Sequence, residues 1–102
     1  MASEPRFTSQ ALRVFSAIMG AGGRELSGAD ISRETRLASG TLYPMLMRLE
    51  QCRWLDSRWE TEDPQVLGRP RRRYYRVTGL GETRARAAAR ELEPVVGRLA
   101  WA

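Results

Sequence analysis

Between Thr8 and Met19 the apolar residues Leu12, Phe15, Ile18 and Met19 recur at helical intervals, which predicts one buried helical face. Thr8 or Ser9 can cap its start, and Gly20, Gly22 and Gly23 can stop it. A weaker segment runs from Gly28 to about Arg36, headed by Ser27 as cap, with Ile31 inward, Leu37 following, and Asp30 placed to suit the helix dipole. After the break Leu37-Ala38-Ser39, the run from Gly40 to Cys52 puts Leu42, Met45, Leu46 and Leu49 on one face and is the clearest helix of the chain. Pro44 has no amide hydrogen and is harmless only near the first turn, so this helix is expected to begin near Gly40 or Thr41, with Ser39 or Thr41 capping it. At about 100° per residue, the side opposite the leucines presents Gly40, Pro44, Met47 and Gln51, flanked by Thr41, Tyr43 and Arg48. An exposed methionine and tyrosine there invite a partner surface.

Farther on, the pattern changes to alternation. Trp54 to Glu60 and Arg73 to Thr78 are aromatic-rich and read as two strands that can pair antiparallel. Thr61 to Arg72 between them is polar, contains Pro and Gly, and is too long for a tight hairpin; it reads as a mobile basic loop. Tyr74 and Tyr75 alternate across the sheet, so one belongs to the core and the other nearer solvent or a partner, the register deciding which. Thr78 can then cap a last helix from about Gly79 to Leu99, where Ala85, Ala88, Leu92, Val95 and Leu99 form a stripe at intervals of three and four. Such a stripe can pack on the first helix or on a second copy, and so small a domain favours the second copy. Pro94 predicts a kink or break near Arg90 to Glu93.

Length and composition narrow the function. A chain of 102 residues with 42% hydrophobic and 28% charged residues has room for one hydrophobic core. The expected layout is a unit over 1–78 and a dimerisation helix over 79–102, together one compact body. There is no histidine and one cysteine, which removes Cys/His zinc sites, histidine acid–base chemistry and a disulfide framework. Cys52, among Leu46, Leu49 and Leu55, reads as a small half-buried hydrophobe in a reducing compartment. No apolar run approaches the roughly 18 residues that cross a bilayer, and the opening residues lack the layout of a secretory signal; a cytoplasmic protein without membrane contact is expected. No convergent acid pair, phosphate-cradling loop or nucleophile–base set is visible, so neither an enzyme nor a cofactor or metal is expected.

Charge supplies the chemistry. All 17 basic residues are arginine against 12 acids, a usage that a GC-rich bacterial genome favours and that suits forked hydrogen bonding to phosphate. Residues 1–62 hold eight Arg and eight acids, whereas residues 63–102 hold nine Arg and four acids, so the whole excess lies in the second part. Gly68 to Arg76 alone carries five arginines and no acid, a candidate phosphate contact. Three helices followed by a two-stranded hairpin with a basic tip is the order of a winged helix-turn-helix, a mainly α (α+β) fold in which the third helix enters the major groove and the wing follows neighbouring phosphates. Without the basic hairpin, the second and third helices would read equally as an ordinary helical pair.

Ser39-Gly40-Thr41-Leu42-Tyr43-Pro44 with Arg48-Leu49-Glu50, then Trp54-Leu55, Trp59-Glu60, and Gly68-Arg69-Pro70-Arg71-Arg72-Arg73-Tyr74-Tyr75-Arg76-Val77-Thr78 with Gly81, resemble the PadR family of bacterial transcriptional regulators over roughly residues 9–82. The resemblance implies a homodimeric repressor that binds an inverted-repeat operator on double-stranded DNA and releases it when an effector, of unknown identity, binds. It implies that Ser39, Gly40, Thr41, Tyr43 and Pro44 face DNA from the recognition helix, that Arg48 reaches a phosphate, and that Gly68, Arg69, Arg71 and Arg72 form the wing contact. The short tail resembles the subfamily with one C-terminal dimerisation helix, on which Ala85, Ala88, Leu92, Val95 and Leu99 would meet the second copy. The chain departs from the family pattern in lacking an aromatic beside Gly28 and in carrying Arg53 where a glycine is usual. Small Ala85 and Ala88 do not support a flat aromatic sandwich for planar drugs. From another class, a winged helix that serves as a protein-interaction or phage-type accessory module would use the same arginines on an acidic protein surface.

Overall fold

The computed structural model of the chain describes residues 6–96. Helix α1 spans Ser9–Met19, with Thr8 as its cap: the Thr8 hydroxyl accepts from the Ala11 amide at 3.1 Å. Leu12, Phe15 and Ile18 are buried along it as the spacing predicts, Ala11 and Val14 are buried as well, and Met19 is half-buried. Gly22 and Gly23, at φ 65° and 87°, turn the chain through a region that side chains disfavour and deliver it to strand β1, Leu26–Ser27. Helix α2 follows at once over Gly28–Thr35, closed by a reciprocal box in which Ser27 and Asp30 each bind the other's amide. Its end is left-handed at Arg36 (φ 59°), and the Arg13 guanidinium donates to the Thr35 carbonyl, tying the end of α2 to α1.

Helix α3 covers Ser39–Gln51. Ala38 occupies its cap position and supplies no side-chain bond, so the expected capping by Ser39 or Thr41 does not occur. With the helix beginning at Ser39, Pro44 lies past the first turn. The bond its nitrogen cannot donate would have gone to Gly40, an exposed residue, where water can serve the carbonyl. Leu42, Met45, Leu46 and Leu49 are buried, and with Phe15, Ile31, Trp54 and Leu55 they form the centre of the core.

Strand β2 is Leu55–Trp59 and strand β3 is Arg73–Val77. They pair antiparallel with Leu55 opposite Val77 and Trp59 opposite Arg73. The wing is not limited to two strands: β1 pairs with the other edge of β3, Leu26 opposite Tyr75, giving the order β1-β3-β2. A two-residue strand has no periodicity of its own, and only the docking of α1 and α2 brings it to the sheet. The register also settles the tyrosines: Tyr75 is buried and Tyr74 is half-buried beneath the Arg58 guanidinium. The connection expected to be loop contains one turn of helix, α4, at Pro64–Leu67, capped by Asp63 and closed at Gly68 with φ 69°.

Helix α5 runs from Gly79 to Val96. Thr78 fastens its start, accepting from the Gly81 amide at 3.0 Å and donating to the Arg53 carbonyl at 2.6 Å. Arg53 itself is left-handed at φ 65°, a conformation that favours the glycine usual at this position in the family the sequence resembles. The helix is unbroken through Pro94, so no break occurs near Arg90 to Glu93. Ala85 and Ala88 are buried within this one chain, Ala85 completely. Within one chain α5 thus packs against α1, the first of the two places the stripe could go. Leu92 is half-buried; the side chain of Val95 and all of Leu99 lie outside the described residues. Among the described residues, no helix is long and apolar enough to cross a membrane.

Candidate nucleic-acid interface

Burial of the leucine face of α3 turns the opposite face outward. Ser39, Gly40, Thr41, Tyr43, Pro44, Met47, Arg48 and Gln51 are all exposed, Met47 at 61% and Tyr43 at 45%. The first turn of α3 has no acidic residue, so its outward amides and partial positive charge are available to an anion. Tyr43 has a second role. A Cβ built on Gly28 would lie 2.7 Å from both the Tyr43 hydroxyl oxygen and ring carbon Cε1, so the ring of α3 closes over the start of α2 because that position carries no side chain.

The wing arginines, adjacent in sequence, have different partners. Arg69 makes a two-pronged pair with Glu60, at 2.6 and 3.0 Å, and the same carboxylate accepts from the Arg72 amide at 2.7 Å. The hydrogen bonds from Arg69 chiefly, helped by that amide, hold the Glu60 carboxyl down at about 2 against a smaller opposing effect of desolvation. Arg69 is half-buried, with its charge paired to Glu60 across the base of the loop. Gly68, expected among the contacts, has a demonstrable backbone task as the left-handed end of α4. Arg73 pairs with Glu50 of α3, and Arg76 faces Asp56 at 3.4 Å. Arg71 donates through Nε to the Glu62 carbonyl at 3.0 Å. Among the described residues, Arg71 and Arg72 are the two arginines of this run whose guanidinium forms no ion pair, although the Arg72 charge also acts on Glu60; both are exposed.

Tyr43 of α3, Ser27, Gly28 and Ala29 at the start of α2, and Trp59, Arg71, Arg72 and Arg73 of the wing line one cleft. The helix and the wing tip consequently open on a common side. Glu50, Glu60 and Trp59 are the residues that single-chain reading left unassigned; the Arg-Leu-Glu and Trp-Glu segments held the signal, but their partners are 23 and 9 residues away. Among the described residues no group of three or more cysteine or acidic side chains could hold a metal ion.

The family model for the PadR-like family of transcriptional regulators matches residues 26–87, which takes in α2, α3, the whole wing and the first half of α5. No curated protein matches the chain. A PadR-family transcription regulator from a hypervirulent Clostridium difficile is similar in fold, with a TM-score of 0.69 at 22% identity over 86% of this chain and 91% of that one. A PadR-like transcription factor from Bacteroides fragilis shares 29% identity over 85% of this chain and 88% of its own, with a TM-score of 0.60. The zinc-responsive MarR-family member ZitR of Lactococcus lactis, at 15% identity, a TM-score of 0.66, and coverage of 92% of this chain and 59% of its own, shares the fold alone. Family match and architecture agree on one conclusion, that the chain belongs to the PadR-like family of transcriptional regulators.

Proposed function

We propose that this regulator is a cytoplasmic homodimeric repressor that binds an inverted-repeat operator, with α3 in the major groove and the wing on the flanking backbone. The observation that carries this reading is the shared cleft: Tyr43, on the exposed side of α3, lines it together with Arg71 and Arg72 of the wing, whose guanidinium groups form no ion pair among the described residues. Arg71 and Arg72 supply sequence-independent attraction by releasing counterions. Ser39, Thr41 and Arg48 supply polar groups for base edges and phosphates, and Pro44 and Met47 offer apolar contact of the kind a thymine methyl accepts. With Ala85 and Ala88 occupied in the chain's own core, the second copy is met by the continuation of the stripe in sequence, Leu92, Val95 and Leu99. Two-fold symmetry then sets half-sites about 34–36 Å apart, and an effector that alters the angle of the terminal helices alters that spacing.

The test is a nuclease footprint on the DNA upstream of the gene together with light scattering of the free protein. A protected inverted repeat and the mass of two chains support the reading. An unshifted duplex together with the mass of one chain refutes it and favours a module that docks on acidic protein surfaces.

A further inference from the structure

The last turn of α3 is joined to the base of the wing by one compact polar cluster. Arg73 Nη2 donates to both Glu50 oxygens, at 2.9 and 2.7 Å, and Arg73 Nε donates to the Ser57 hydroxyl at 2.7 Å. The Ser57 hydroxyl in turn donates to Glu50. Three chain segments thus meet through one carboxylate: α3, β2 and β3. The guanidinium is also flanked by rings, its central carbon 5.5 Å from the centre of Trp59 and 5.8 Å from that of Tyr75. A planar fork held by a two-pronged carboxylate and two aromatic rings has little rotational freedom.

Position gives this cluster a consequence. Arg73 is the first residue of β3 and follows directly on Arg71 and Arg72, the wing arginines whose guanidinium forms no ion pair among the described residues. Glu50 is the next-to-last residue of α3, the helix whose other side is exposed. The Trp54 amide, bonded to the Leu49 carbonyl at 2.9 Å, fixes only the start of β2 on α3, and apolar packing around Leu49 and Leu55 resists separation more than sliding; among the described residues, Glu50 is the residue of α3 whose side chain bonds both β2 and β3.

We propose that Glu50 is a positioning residue for DNA recognition: through Arg73 and Ser57 it holds the wing at the angle where Arg71, Arg72 and the outer face of α3 engage one duplex together. The inference rests on the DNA-binding reading above. Glu50 touches no nucleic acid in this role, and its negative charge by itself opposes binding. Charge and position therefore predict opposite signs for the same substitution.

The experiment compares wild type, Glu50→Gln and Arg73→Lys on two probes, a duplex selected by the wild-type protein from a random library and poly(dI-dC). Glu50→Gln removes a repelling charge yet is expected to weaken binding to the selected duplex about tenfold, the scale of losing one base pair of readout, while binding to poly(dI-dC) stays equal or tightens. Arg73→Lys keeps the charge and loses the fork; it is expected to lower selectivity in the same way, and it carries the test if Glu50→Gln does not fold. Selectivity unchanged in the folded variants overturns the proposal. A third measurement is independent of DNA: spin labels at Met47→Cys and Gln65→Cys, in a Cys52→Ser background diluted with unlabelled protein, report the helix-to-wing distance. A distribution that broadens or shifts in Glu50→Gln or Arg73→Lys supports the positioning role, and an unchanged one refutes it. If wild type retards no duplex, the DNA-binding reading fails, and the spin-label distances alone decide whether Glu50 sets the wing.

Discussion

Salt dependence separates the wing arginines that bind phosphate from those that shape the loop. Each phosphate neutralised by a cation contributes about 0.9 to the slope of log K against log salt, which over the fourfold rise from about 50 to about 200 mM is about 3.5-fold in affinity per contact. Arg72 is exposed and its guanidinium forms no ion pair among the described residues, so Arg72→Ala should flatten the slope by up to about 0.9 per protomer. Arg69 already spends its charge on Glu60, through bonds of 2.6 and 3.0 Å. Arg69→Ala should therefore lower affinity by loosening the loop with little change of slope. Glu60→Gln makes the opposite prediction: it releases the Arg69 charge and steepens the slope by up to about 0.9 per protomer. Filter binding of a single duplex across a salt series measures all three. A slope for Arg69→Ala as flat as that for Arg72→Ala, or an unchanged slope for Glu60→Gln, would refute the assignment of Arg69 to the loop.

Other expectations concern stability and choice of sequence. At Gly81 an added Cβ would fall on the Trp54 carbonyl, 2.8 Å from its carbon, and backbone cannot move aside; Gly81→Ala should destabilise by about 3 kcal/mol, lowering the melting midpoint by about 12–24 °C, and a shift of under about 5 °C would contradict it. Glu60 has its carboxyl lowered from 4.5 to about 2 in the folded chain. Its contribution is thus complete above the unfolded value and is lost as pH falls through the folded one. The melting difference between wild type and Glu60→Gln should accordingly shrink between about pH 4.5 and about pH 2; a constant difference across that window would exclude the linkage. Thr41→Ala should blur discrimination at one operator position by about 1–3 kcal/mol while leaving the salt slope alone, read by competition among single-base variants of the selected duplex.

Much of the fold was legible because it is written in local terms. The buried spacing of α1 and α3, the Ser27 cap with Asp30 in the first turn, and the two longer strands each depend on residues within a few positions of one another. The exposed face of α3 followed from the same periodicity, since burying Leu42, Met45, Leu46 and Leu49 leaves Thr41, Pro44 and Met47 on the other side. The short strand β1 and the turn α4 were not legible, being too brief to carry a period. The place of Ala85 and Ala88 was not legible either, because a small-residue stripe looks the same whether it meets α1 or a second copy; in the fold of one chain they are buried.

Charge is where sequence and tertiary structure part most clearly. The amino-acid sequence by itself determined that the excess of arginine sits around the hairpin and that a helix with a polar, partly apolar outer face precedes it. Only the tertiary structure decided what each guanidinium does: Arg69 closes on Glu60, Arg73 on Glu50, and Arg71 and Arg72 remain on the surface. The physical reason is range. Helical periodicity and capping act over one or two turns, whereas an ion pair forms wherever folding brings two side chains within hydrogen-bonding distance, however far apart they stand along the chain.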